Sequence, residues 1–161
     1  MADDTPTATK LQRTARKRRP PLALGALENL VGFHVRMAAA AIYRDFAAEI
    51  APLELTQKQF AVLELITQNP DVSQIDLAAA LGTDRATMMA LVDRLEARGL
   101  LARRPSATDR RRQALSLTSA GDALHAAARR AIAAHEARLT ADFTASELKG
   151  LTDGLRRLYR S

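Results

Sequence analysis

Six arginines and a single acid, Asp109, lie between residues 98 and 113, and the run Asp109-Arg110-Arg111-Arg112 concentrates them. Guanidinium groups grouped in this way bind phosphates through charge-assisted hydrogen bonds and can enter a narrow, electronegative groove of duplex nucleic acid. A second basic run, Arg16-Lys17-Arg18-Arg19, closes residues 1–20, which carry six basic and two acidic side chains. The net charge of the chain is +6, so everything outside these two segments is slightly acidic. Positive charge concentrated on an acidic body points to a polyanion touched at defined places. The plainer alternative is that arginine-rich loops and tails only aid solubility, and composition does not separate the two.

Other chemistries lack their residues. There is no Cys, which excludes disulfides, thiolate metal sites, thiol nucleophiles and thiol redox sensing. The histidines are His34, His125 and His135; the last two are about three helical turns apart, too far to share an ion, so no metal or other cofactor is expected. No glycine-rich phosphate loop is present, and periodicity gathers no Ser-His-Asp set or carboxylate pair, so the chain does not read as an enzyme. No apolar run approaches the roughly 18 residues of a membrane span, and no signal peptide opens the chain. A cytoplasmic protein without a membrane partner is expected.

The elements that must position the arginines are mainly helical. Aromatics make up 4% of the 161 residues and Trp is absent, so the core must be built from Ala, Leu, Ile and Val, a composition that favours helices. Residues 1–21 lack apolar periodicity and read as a disordered basic arm. Leu27, Leu30, Val31, His34, Met37, Ala38 and Ala41 recur at helical spacing, and the pattern runs through Phe46 and Ile50 to a stop at Pro52. A helix that long, over 22–52, is of the kind that reaches another chain. Thr56-Gln-Lys-Gln59 is a capping box opening a helix with Phe60, Leu63 and Ile66 inward. Ser73-Gln-Ile-Asp76 opens a short one that ends at Leu81-Gly82, with Gly as the left-handed stop. Thr83-Asp84 starts another, whose inward stripe is Met88, Leu91, Val92 and Leu95, ending at Gly99. The period then changes: strands are predicted over 100–104 and 113–117, joined by a polar loop. A long helix follows Thr118-Ser-Ala-Gly121, and Thr144-Ala-Ser-Glu147 caps a last one with Leu148, Leu151, Leu155 and Leu158 in its stripe.

Helix, short helix, tight glycine turn, helix and two-stranded hairpin make the winged helix-turn-helix arrangement. Its second helix fits a major groove with its N-terminal residues toward base edges, and the hairpin tip lies beside the same duplex. Helix order and loop charge point independently to DNA.

At these residues the chain resembles the MarR family. The resemblance is carried by Leu55-Thr56-Gln-Lys-Gln-Phe60, Leu77-Ala78-Ala-Ala-Leu81-Gly82, Asp84-Arg85-Ala86-Thr87 and Leu91-Val92-Asp93-Arg94-Leu95-Glu96. It continues through Arg98-Gly99-Leu100-Leu101, Arg103-Arg104-Pro105, Thr108-Asp109-Arg110-Arg111 and Leu117-Thr118-Ser-Ala-Gly121, nearly unbroken from about 53 to 121. The resemblance implies a domain order of a basic arm over 1–21, a dimerisation helix over 22–52, the DNA-binding domain over 53–118 and dimerisation helices over 119–161. The fold class is mainly α with a small β-wing. A homodimer would place two recognition helices in successive major grooves of a pseudo-palindrome, with half-site centres about 10 base pairs apart. The expected activity is repression relieved by a small molecule; an effector-independent architectural DNA-binding protein is the competing expectation.

Carried residue by residue, the resemblance assigns Asp109 to orient a wing arginine and Arg111 to probe the minor groove. Arg110 and Arg112 fall to phosphates, Arg85 and Thr87 to base edges or phosphates, and Arg103 and Arg104 either to phosphates or to solvent. Met89 and Ala90 depart from the pattern, since many relatives have a polar and a basic residue there; they either read thymine methyls by apolar contact or leave the position unread. For the effector, the stretch from Leu30 to Phe46 is similar to members that sense aromatic acyl-CoA thioesters. It makes His34, Arg36, Tyr43 and Arg44 candidates for an aromatic acid or an aromatic acyl-CoA, with His34 otherwise a core or interface histidine.

Overall fold

A computed structural model describes residues 22–107, 109 and 111–159. The basic arm, Thr108 and Arg110 lie outside the described residues. The element order is a 3₁₀ turn at Gly25–Asn29, α1 at Val31–Ile50, a 3₁₀ turn at Ala51–Leu53, α2 at Gln57–Gln68, α3 at Gln74–Ala80 and α4 at Arg85–Ala97. Strands β1 (Leu101–Pro105) and β2 (Gln113–Leu117) follow, then α5 (Ser119–Leu139) and α6 (Ala145–Tyr159). No described helix is long and apolar enough to cross a membrane.

The helix boundaries come from local chemistry. Thr56 and Gln59 exchange side-chain hydrogen bonds with each other's backbone amides at the start of α2, and Ser73 and Asp76 do the same for α3. Each box satisfies two amides that no helical carbonyl can reach, a gain of about 1 kcal/mol per cap. Asp84 caps α4 by accepting the Thr87 N–H at 2.9 Å. At the other end of α4, Gly99 adopts φ +68°. This lets its N–H reach the Glu96 carbonyl at 2.8 Å and the Leu100 N–H reach the Leu95 carbonyl at 3.0 Å, a Schellman closure. Leu100 is taken up by that closure, so β1 begins one residue later than the alternation predicts. Upstream, Leu27 lies in the 3₁₀ turn and an extended Leu30 (ψ 109°) separates it from α1, so the first long helix starts only at Val31.

The core sits where α2, α3, α4 and the hairpin meet. Val62, Leu63 and Ile66 from α2 pack with Leu77, Met88, Val92, Leu95, Leu101 and Leu115, while Phe46 and Ile50 bring in the end of α1. The strands pair antiparallel with Leu101 opposite Leu117 and Arg103 opposite Leu115. On α5, a Cβ at Gly121 would stand 1.9 Å from the Leu100 carbonyl oxygen, so only glycine lets α5 start against the hairpin. Further along α5, buried His125 places Nε2 2.7 Å from Glu64 Oε2 while its ring stacks on Phe60, locking α5 to α2. Burial raises the Glu64 pKa, but hydrogen bonds from His125 and Gln68 and the nearby Arg129 charge outweigh it and hold the carboxyl below its ordinary range.

The outer elements are built differently. The first half of α1 buries nothing, and α6 has no buried residue at all. Val31, Val35, Leu151, Leu155 and Leu158 are all exposed. Between α1 and α6 lies an open, largely apolar groove of about 790 Å³.

Candidate nucleic-acid interface

The short α3, the glycine turn and α4 form the helix pair. Gly82 has φ +57°, and the Thr83 N–H returns to the Ala78 carbonyl at 2.9 Å, so α3 closes in one turn and α4 departs at once. Met88, Val92 and Leu95 anchor α4 in the core, leaving Arg85, Ala86, Thr87, Met89, Ala90, Asp93 and Arg94 on the outside. Asp84 accepts both the amide and the hydroxyl of Thr87, the latter at 2.7 Å. Those two bonds hold the Asp84 carboxyl below its ordinary pKa. Thr87 is thus fixed at the N-terminal end of the helix face with its hydroxyl proton engaged.

The wing is held to the body at two aspartates, Asp71, which sequence patterning did not single out, and Asp76, which it read only as a helix cap. Asp71, in the left-handed region at φ 65°, accepts from the Ser106 hydroxyl at 2.5 Å and from the Ala107 amide at 2.9 Å. Asp76, already half of the α3 cap, also receives Arg112 Nη2 at 2.6 Å. The Ser73 amide, the Ser73 hydroxyl and the Arg112 charge together hold the Asp76 carboxyl below its ordinary pKa, against a smaller effect of burial. Asn69-Pro70-Asp71 carries a turn signal in sequence, but nothing there indicates that the turn receives a hairpin some 35 residues away.

Asp109 serves the wing's backbone. Its Oδ1 accepts the Arg111 amide at 3.0 Å, its carbonyl accepts the Arg112 amide at 2.9 Å, and its own amide reaches the Ser106 hydroxyl. The aspartate therefore shapes the turn that presents Arg111, in addition to any contact with an arginine side chain.

The arginines divide into two sets. Arg103 ion-pairs with Glu96 and, at 2.5 Å, with Asp93, joining β1 to α4, and Arg112 is committed to Asp76. Arg103 was expected at phosphates or in solvent and Arg112 at phosphates; in the single chain each has an acidic partner within the fold. The side chains of Arg85, Arg94, Arg104 and Arg111 are exposed and make no hydrogen bond or ion pair among the described residues. A cleft of about 400 Å³ separates α4 from the wing, with Met89 and Asp93 on one wall and Arg111, Arg112 and Gln113 on the other. Recognition helix and wing thus open onto a common space.

The four effector candidates do not converge. His34 lines the groove between α1 and α6, with Nε2 2.9 Å from the Glu28 carbonyl oxygen, and it is exposed rather than in the core. Tyr43 comes nine residues later, which puts it on the opposite side of the helix at 3.6 residues per turn, and it is 59% exposed. Arg36 lies over the Phe33 ring, 5.9 Å from its centroid, and Arg44 is exposed. Among the described residues, no group of three or more His, Asp or Glu is arranged to hold a metal ion.

Comparison with known proteins gives a consistent picture. The MarR family model matches residues 53–112. A protein of Thauera aromatica, provisionally described as a transcriptional regulatory protein for the hcr operon, is 35% identical over 140 residues, covering 86% of this chain and 84% of its own. The solved structure of the transcriptional repressor CouR bound to a 23-mer DNA duplex superposes with a TM-score of 0.81 at 36% identity, covering 87% of this chain and 99% of that one. CouR from Rhodococcus jostii RHA1 bound to p-coumaroyl-CoA superposes with a TM-score of 0.78 at 26% identity, covering 83% and 94%. With the helix pair, the anchored wing and these relatives in agreement, the chain belongs to the MarR family of transcriptional regulators.

Proposed function

We propose that this protein is a sequence-specific repressor that binds a pseudo-palindromic operator as a homodimer and leaves it when an aromatic ligand binds, the ligand being an aromatic acyl-CoA thioester. The observation that carries the DNA half is the pairing of α4 with the wing across one cleft lined by Arg111, with the exposed side chains of Arg85 and Arg94 on α4 and Arg104 on β1 left without an ion-pair partner. Arg111 at the wing tip is the minor-groove probe, and Arg104 and Arg110, the latter beside Arg111 in sequence, meet phosphates.

The dimer is supported by the apolar residues left uncovered on α1 and α6. A monomer rarely exposes so continuous an apolar surface, and a two-fold partner would bury the same face of both copies. The effector is supported by relatives solved with DNA and with p-coumaroyl-CoA. Arg36 and Arg44, exposed on α1, are the groups assigned to the CoA phosphates, with His34 and Tyr43 as candidates for the acyl portion. The scatter of these four around α1 implies that the site includes residues of both copies.

A gel-shift titration on the DNA upstream of the protein's own gene tests the proposal. With a panel of aromatic acids and their CoA thioesters, the thioesters should release DNA at far lower concentration than the free acids. Equal potency of acid and thioester would overturn the thioester assignment, and release by neither would overturn the ligand response.

A further inference from the structure

We propose that α4 reads its operator through thymine methyl groups, with Met89 as the specificity-determining side chain; this rests on α4 being the recognition helix. Apart from Arg85 and Arg94 at the edges of the face, the polar side chains of α4 that could read bases are occupied. The Thr87 hydroxyl proton goes to Asp84, and Asp93 and Glu96 are both paired with Arg103. At 100° per residue, Ala86, Met89 and Ala90 fall within a sector of about 100°, bounded by Arg85 on one side and Arg94 on the other.

Asp93 falls in the same sector but is neutralised by Arg103, so the rest of this exposed face of α4 is an apolar strip between two unpaired cations. That charge arrangement suits a polyanion, with each arginine toward a phosphate strand and the strip toward the groove floor between them. Met89 is 49% exposed, and Ile75 of α3, which lines the same cleft, is 50% exposed. Neither is used by the core. In the major groove the thymine C5-methyl is the one apolar group that distinguishes a base, whereas guanine, adenine and cytosine are told apart by donors and acceptors. Met89 is the only long apolar side chain in the strip, and an unbranched thioether adapts its shape to a methyl. Ala90 lets the helix sit close without adding a competing donor.

The test begins with in vitro selection of a preferred duplex from a random library, using the full chain. Each thymine of the selected site is then replaced singly by deoxyuridine, which removes only the methyl group. At one or more positions in each half-site the substitution should weaken wild-type binding about threefold to fivefold, the worth of one buried methyl. Met89→Ala should lose that sensitivity while keeping its thermal midpoint, because the side chain supports no core contact. Met89→Gln should also lose it, and its selected site should shift from thymine toward adenine, which glutamine can read through N6 and N7. Deoxyuridine that leaves wild-type affinity unchanged at every position overturns the proposal, as does a methyl effect that persists in both variants. Failure of the selection to yield any preferred sequence would overturn α4 as a reader of sequence altogether, a separate result.

Discussion

Leu63 on α2 and Leu155 on α6 are the same residue type, each in the apolar stripe of its own helix, yet Leu63 is wholly buried and Leu155 is 38% exposed. The difference extends to the regions around them. From Leu55 to Ala128 the chain closes on itself, with a shared core, reciprocal caps on α2 and α3, and a wing pinned at Asp71 and Asp76. The start of α1 and all of α6 meet no such closure. One region is finished by this chain alone, and in the proposed dimer the other is finished by a second copy. In a two-fold regulator this division lets the reading heads stay rigid while the scaffold that sets their spacing is assembled from both chains.

The contrast breaks most visibly at Leu63. Leu63→Ala removes a wholly buried side chain and should cost about 2–5 kcal/mol in urea denaturation; a loss within the noise would mean the core is looser than described. Leu155→Glu should leave helix content in place while converting dimer to monomer in analytical ultracentrifugation. A variant that stays dimeric would remove α6 from the interface. Arg111→Ala should weaken operator binding roughly tenfold, the range for one well-placed DNA contact, and reduce any preference for a narrow A·T-rich flank without changing oligomeric state. Unchanged affinity would mean the wing does not reach the duplex.

The smallest effect is expected at the wing's second anchor. The Asp76 carboxyl titrates below its unfolded value of 3.8, so its contribution to stability is complete above that pH and is lost as pH falls through the folded value. Asp76→Asn should therefore cost about 0.5–1 kcal/mol near neutrality, the worth of a helix cap. The gap to wild type should close in more acidic buffer, as a pH series of thermal melts will show. A gap that widens on acidification would contradict the pairing.

Local signals explain which features were legible in the sequence. Capping boxes, left-handed glycines and the change from helical to alternating period act within a few residues, and they placed α2 to α5 within a residue or two of their observed bounds. The β1 start slipped by one because the glycine closure after α4 consumes Leu100. Contacts across the fold left no such mark. That Arg103 neutralises Asp93 and Glu96, that Arg112 turns inward to Asp76, and that His125 pairs with Glu64 all depend on which faces meet after folding. For the same reason His34, assigned to a core or interface by its place on an apolar stripe, lies in an open groove of the single chain. In the proposed dimer the surface that would cover it belongs to the second copy.

The central claim, specific DNA recognition by the α4 and wing surface, is tested most directly by fluorescence anisotropy on the selected operator and on a scrambled duplex of equal length and composition, at one fixed salt concentration. The account predicts that the operator is preferred by roughly a thousandfold or more. Comparable affinity for the two duplexes would contradict it and leave a protein that coats DNA without reading it.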